Sequence, residues 1–296
     1  MAGTIDNMIT AVINLVKTNG IASLIIIVIV IHGFTSKILA WVNKKDENRA
    51  QGGSTENNQE KITDDTNEHL LSHGGEDCDM VPYKQTTYSE DEMKKRSQSF
   101  YEDINHRRSV RFFSDKDVPI EVIENCIRTA GTSPSGAHMQ PWTFVVIKQA
   151  DIKAQIREII EEEEEINYKK RMSETWKKDL KRLRTNWEKP YLETAPYLVL
   201  VFKQTHGLTE DGQKITHYYT EESVGLSCGL FLAAVQNAGL VTLTSTPMNA
   251  GPKIRMLLNR GSNEKLFLLL PVGYAADDCK VPDLKRKSLD EIMVLF

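Results

Sequence analysis

The stretch that decides the fold is Thr132–Trp142, "TSPSGAHMQPW". It follows an apparent helix, "VPIEVIENCIRTAG", and runs into a short apolar strand, "WTFVVI". Small residues and prolines in this order build a rigid turn that lets another group approach the backbone closely. The preceding helix opens at Pro119, spaces Ile120, Ile123 and Ile127 on one face and ends at Gly131.

The flanking chain alternates helices and strands. Upstream, "SEDEMKKRSQSFYEDINH" reads as a helix begun by the Ser89 and Glu92 pair. Downstream come a long charged helical stretch from Asp151 to about Trp187 and the apolar strand "PYLVLVF" from Pro196 to Phe202. The helix "TEESVGLSCGLFLAAVQNAG", closed by Gly239, then leads to strand "LVTLTST", helix "PKIRMLLN" and strand "EKLFLLLPVGY". Strands bounded by helices predict a layered α/β or α+β domain over residues 89–296, with the strand order left open.

Ahead of that domain the composition shifts twice. Residues 20–42, with "IASLIIIVIVIHGF" at their centre, are about long and apolar enough to cross a hydrocarbon core. A cleaved signal peptide is the alternative, but residues 1–19 lack a compact basic region before the apolar run. Lys37, Lys44, Lys45 and Arg49 follow the core of the span against Lys17 before it, so a single-pass anchor with a cytoplasmic catalytic domain is expected. Residues 43–88 read as an acidic disordered tether. From Asp46 to Asp79 they carry ten acidic and two basic residues, with almost no apolar periodicity.

Composition excludes several functions. The 296-residue chain has a net charge of −4 and no long basic block, which argues against nucleic acid as a partner. Its four cysteines form no C-x-x-C pair, and Cys126 and Cys228 fall in apolar helical patterns as reduced core residues. No G-x-G-x-x-G follows a strand, and neither a Walker loop nor HExxH is present. The seven histidines have no metal-ligand spacing, and no metal is expected.

Chemistry is concentrated in three places. "RRSVRFFS" supplies Arg107, Arg108, Ser109 and Arg111; in an extended segment Arg107, Ser109 and Arg111 share a face and Arg108 points away. Guanidiniums converging beside a hydroxyl suit a phosphate, although a solvated basic edge reads the same way. "LTSTP" sets Thr244, Ser245 and Thr246 at a strand end, where a backbone-bonded hydroxyl is the plain alternative. "EEEEEINYKKRM" is mostly a solvated helix face, yet it puts Glu164 and Tyr168 four residues apart on one side, with Lys189 downstream.

Taken together, "RRSVRFFSDKDVP", "RTAGTSPSGAHMQPWTFVVI", "LVTLTSTP", "LLLPVGY" and "VPDLKRK" resemble the FMN-dependent nitroreductase superfamily. "IIEEEEEINYKKRM" and "DLKRLRTNWEKPYLETAP" narrow the resemblance to its halotyrosine-dehalogenating branch, over about Glu90 to Leu295. The resemblance implies an α+β, three-layer fold, with a central mixed sheet flanked by helices, and a homodimer with FMN at the subunit interface. It implies that Arg107, Arg108, Ser109, Arg111 and Arg286 grip the FMN phosphate and ribityl end, and that Ser135 and Gly136 lie against the flavin. Thr244, Ser245 and Thr246 belong to the same cofactor set, with Thr246 as hydroxyl donor to flavin N5. Glu164 would hold a substrate ammonium, Lys189 its carboxylate and Tyr168 the same zwitterion, on a lid spanning about 161–189. The backbone N–H of Ala137 would face the substrate phenolate. The implied reaction is reductive dehalogenation of 3-iodotyrosine and 3,5-diiodotyrosine, with NADPH as indirect donor through a separate reductase. Two rivals are a general nitro- or quinone reductase using NAD(P)H directly, and a membrane-tethered flavin-binding scaffold without activity.

Overall fold

A computed structural model of the chain describes residues 78–296; the expected membrane span and most of the expected tether lie outside them. Among the described residues no helix is long and apolar enough to cross a membrane. Residues 78–89 are exposed and belong to no regular element, and helix α1 (Glu90–Asn105) begins where Ser89 Oγ accepts the Glu92 N–H at 3.4 Å. Helix α1 buries none of its residues, and Met93, Phe100 and Tyr101 stand exposed on it.

Helix α2 (Ile120–Gly131) starts after Pro119 as the sequence predicts, but its buried stripe is Ile123, Cys126 and Ala130. Ile120 is 41% exposed, because it lies in the first turn, beyond the reach of the sheet. Strand β1 (Trp142–Ile147) follows the decisive turn, and helix α3 (Ala150–Ile166) follows β1. The long charged helix predicted to about Trp187 is broken. A single π turn (Asn167–Arg171) closes α3, Ser173 caps a new helix α4 (Glu174–Arg182), and the rest is loop. A short helix α5 (Tyr191–Thr194) then leads into strand β2 (Tyr197–Gln204).

A hairpin that the sequence pattern does not announce, β3 (His206–Leu208) and β4 (Lys214–Thr216), precedes helix α6 (Thr220–Asn237). Gly239, at φ +73°, ends that helix in a conformation glycine adopts without strain. Strand β5 (Val241–Thr242), helix α7 (Gly251–Leu257) and strand β6 (Glu264–Gly273) complete the order.

The main sheet runs β1-β2-β6-β5, antiparallel throughout its named strands. Its mixed character rests on one parallel bridge, Ser109 to Thr242. Side chains of β2 alternate between two cores. Leu198, Leu200 and Phe202 pack with Ile156, Ile160, Leu192 and Ile254; Tyr197, Val199 and Val201 pack with Ile123, Val224, Cys228 and Phe231. The sheet is therefore the middle of three layers, with α3, α5 and α7 on one face and α2 and α6 on the other. Each fully buried Leu or Phe contributes roughly 1.5–3 kcal/mol to this arrangement.

The predicted strand "LVTLTST" is cut short at Thr242. The pairings Val241–Gly273 and Thr242–Val272 set a register that reaches Ser245–Leu269, where the two residues exchange bonds of 3.0 and 2.9 Å. Between them Leu243 faces Pro271, which has no N–H to give at a hydrogen-bonding position. The Pro271 carbonyl accepts from the Thr242 hydroxyl instead, at 2.7 Å.

Candidate active site

Arg107 to Arg111 leave the end of α1 and dock on the sheet edge through the Ser109–Thr242 bridge, with the Val110 N–H donating to Thr242 O at 3.1 Å. Arg107, Arg108, Ser109 and Arg111 line a cleft of about 320 Å³ with Pro282, Lys285 and Arg286. Arg108 belongs to that cleft, contrary to the alternation expected. The segment is bridged to the sheet at one residue only, so it does not keep a strand's two faces. Its guanidinium donates to Pro282 O. Arg286 donates to Asn105 O (2.9 Å), Asn105 Oδ1 (3.0 Å) and Arg107 O (2.6 Å), which staples the C-terminal segment to the end of α1.

Burial, then the neighbouring Arg286 and Arg108, pull the Arg107 guanidinium below its ordinary pKa. None of Arg107, Arg108, Arg111 or Arg286 forms a salt bridge among the described residues. Crowded cations without carboxylate partners are the chemistry a phosphate dianion satisfies. Ser109 and Arg111 also line an adjoining cleft of about 850 Å³ with Arg182 and Arg184.

A smaller cleft of about 150 Å³ lies beyond Arg111 and gathers Glu164, Tyr168, Lys189 and the Thr244–Ser245–Thr246 run. Lys189, 7% exposed, stands 4.0 Å from Glu164 and donates to Asn186 O and, at 3.5 Å, to Thr185 Oγ1. Burial lowers the Lys189 pKa, while Glu164 works against that shift. Tyr168 donates to Thr185 O at 3.4 Å and meets Trp187 edge-on at 5.7 Å; burial, then Glu164, raises its pKa. The cleft is about half the size of the smallest usual ligand pocket (roughly 300 Å³), so its acid–base pair is closed on itself.

The decisive turn stands elsewhere: Ser135, Gly136 and Ala137 line neither arginine cleft nor the Glu164 cleft. Gly136 lies against α6, where its N–H donates to Ser223 Oγ at 3.3 Å, and a Cβ there would sit 2.7 Å from Tyr218 O. Ala137, His138 and Gln140 all take positive φ, at 46°, 55° and 49°. Such non-glycine residues cost of order 1–3 kcal/mol each and concentrate at functional sites. Ser135 O accepts from His138 N, and Ser135 Oγ accepts from Gln140 N at 3.0 Å. The exposed Ala137 N–H makes no hydrogen bond among the described residues.

Several cleft residues escape the sequence argument. Met172, Trp176 and Leu180 form an apolar wall, and their spacing of four was the available signal. Behind the cleft lining, fully buried Asn167 contacts both Glu164 and Met248, and an asparagine inside a charged run carries no such signal.

The Nitroreductase family model matches residues 104–274. Iodotyrosine deiodinase of Hydra vulgaris is 66% identical over 218 residues, covering 74% of this chain and 80% of the relative. Iodotyrosine deiodinase 1 of Homo sapiens is 52% identical over 277 residues, covering 91% and 96%. The chain belongs to the nitroreductase family, among its iodotyrosine deiodinases. A crystal structure of oxidized iodotyrosine deiodinase, bound to FMN and 3-iodo-L-tyrosine, superposes with a TM-score of 0.56 at 31% identity, covering 64% of this chain and 96% of that one. In this nitroreductase the family match spans both arginine-rich and hydroxyl-rich segments, and the three-layer α+β core lies within it.

Proposed function

We propose that this protein is an FMN-dependent reductive dehalogenase of halotyrosines, converting 3-iodotyrosine and 3,5-diiodotyrosine to tyrosine and iodide. One observation carries the reading: Glu164, Tyr168 and Lys189 line a single cleft with Thr244, Ser245 and Thr246. A zwitterion is the ligand that suits a partly buried acid and a buried base 4.0 Å apart, because its ammonium and carboxylate replace each charge's partner.

The residues also fit FMN. Among the described residues, Arg107, Arg108 and Arg111 have no carboxylate partner and suit its phosphate, with Arg286 bracing them, and the Thr246 hydroxyl makes no hydrogen bond, which leaves it for the ring. When bound, FMN supplies the two electrons that, with a proton, replace the carbon–iodine bond by a carbon–hydrogen bond as iodide leaves. Glu164 and Lys189 orient the amino-acid end, and Met172, Trp176 and Leu180 exclude water from above it. The unbonded Ala137 N–H is a donor for the phenolate oxygen.

Ala137 sits away from the cleft of its own chain, so the complete site takes the turn from a second copy. Exposed Phe100 and Tyr101 on α1, Leu226 on α6 and Leu295 and Phe296 at the C-terminus are the apolar surface such a homodimer would cover. Electrons come from NADPH through a separate reductase, and residues 20–42 anchor the protein to a membrane with its catalytic domain cytoplasmic.

The test is direct. Flavin reduced anaerobically with dithionite, then freed of excess reductant, is mixed with diiodotyrosine while the flavin spectrum and free iodide are followed. Reoxidation with release of iodide and tyrosine is expected. Flavin that stays reduced with diiodotyrosine yet reoxidises with nitroaromatics or quinones refutes the reading in favour of a general reductase.

A further inference from the structure

We infer that Asn167 is a positioning residue that ties capture of the substrate by Glu164 to the placement of the Thr246 hydroxyl. The inference rests on the dehalogenase reading. Asn167 is fully buried at the point where α3 gives way to the π turn, whose wide ring its own carbonyl closes with Met172 N at 2.9 Å. Single π turns inside helical segments gather at functional sites.

All four of its side-chain hydrogen-bonding positions are used. Nδ2 donates to Glu164 Oε1 and to Met248 O, each at 3.4 Å; Oδ1 accepts from Arg171 Nη1 at 2.9 Å and from Asn249 Nδ2 at 3.2 Å. One amide therefore touches the expected ammonium acceptor and the loop that begins at Thr246. Ser245 pins that loop to Leu269 at one end, and Asn249 turns it through φ +65° at the other. Among the described residues, Asn167 makes the side-chain hydrogen bonds that reach Met248 and Asn249 from outside the loop. When an ammonium draws on Glu164, the amide is pulled with it. The change is then passed to the loop, because a saturated buried network leaves no slack to absorb it.

The experiment uses FMN-loaded wild type, Asn167→Asp, Asn249→Gly, Thr246→Ala and the Asn167→Asp/Thr246→Ala pair. Diiodotyrosine affinity is read from flavin emission of the oxidised protein, and the midpoint potential of bound FMN is measured with and without saturating 3,5-difluorotyrosine, which carries the same zwitterion but whose carbon–fluorine bonds reduced flavin does not break. Difluorotyrosine shifts the wild-type potential. Asn167→Asp loses both donors, sets a second carboxylate beside Glu164, weakens affinity about tenfold and abolishes that shift. Asn249→Gly tolerates the positive φ and removes one of the two bonds between Asn167 and the loop, leaving that to Met248 O, so affinity stays within about threefold and the shift is diminished. In the potential shift, though not in affinity, the pair behaves as Thr246→Ala alone, because Asn167 acts on the flavin through that hydroxyl.

A ligand-induced shift that is absent from wild type, that persists undiminished in Asn249→Gly, or that falls additively in the pair overturns the inference. Asn249→Gly decides alone if Asn167→Asp does not fold. Wild-type emission that ignores diiodotyrosine overturns the dehalogenase reading and this inference together. A responsive wild type with unaltered variants overturns the inference only.

Discussion

Replacing Glu164 by Gln keeps the shape of the cleft and removes one charge. Glu164 and Lys189 stand 4.0 Å apart, which at an effective dielectric of about 20 is worth ~4 kcal/mol of gross attraction. Most of that offsets the desolvation of Lys189, and a charge-assisted contact to the substrate ammonium nets about 1.5–3 kcal/mol. The expected loss is therefore about ten- to a hundredfold in diiodotyrosine affinity, read by titration of flavin emission.

The pH profile gives a second, signed check. Burial already lowers the Lys189 pKa and Glu164 opposes the shift, so Gln in its place lets it fall further. Carboxylate capture needs Lys189 protonated, hence affinity declines as pH rises through that pKa, and the decline starts at lower pH in the variant. Stability moves the other way. A lysine with a depressed folded-state pKa binds fewer protons folded than unfolded, so stability rises with pH between the folded and unfolded values, over a wider window in the variant. An affinity within twofold of wild type, or a decline that starts at the same pH, would refute a paired role for these residues.

Arg107→Gln should weaken FMN retention by about tenfold or more, measured by ultrafiltration of the holoprotein. Its cofactor-free form should melt no lower than wild type, because repulsion from Arg286 and Arg108 is relieved. Gly136→Ala drives a Cβ to 2.7 Å from Tyr218 O and 3.0 Å from the Tyr219 ring, a clash of the new methyl with fixed backbone that should cost about 1–3 kcal/mol in a denaturant melt. Leu226→Glu puts a charge on an exposed, apolar position of α6; sedimentation should show monomers that no longer release iodide, and an intact dimer would move the interface elsewhere.

Local signals were legible where one element decides its own form. The Ser89 cap, Pro119 before α2 and Gly239 after α6 each set a helix end at the position expected. The two faces of β2 are hidden in "PYLVLVF", since a strand buried on both sides shows no alternation. Long-range effects were illegible. Pro271 cuts β5 short from the opposite strand, and Arg108 joins the cleft because its segment touches the sheet at one residue. Glu164, Tyr168 and Lys189 line one cleft, yet the Glu164 partner Asn167 is invisible in the sequence because its meaning lies in the distant Met248 and Asn249.

Pro271 also bears on how safely the chain folds. By ending β5 after two residues it leaves this edge of the sheet, opposite β1, almost no margin on which another molecule could add a strand, and the Ser109–Val110 segment covers what remains. Short, capped margins of this kind guard against edge-to-edge aggregation. The arginine-bearing segment is thus also a guard rail for solubility, and variants that loosen it would be expected to reveal themselves first as precipitate during expression.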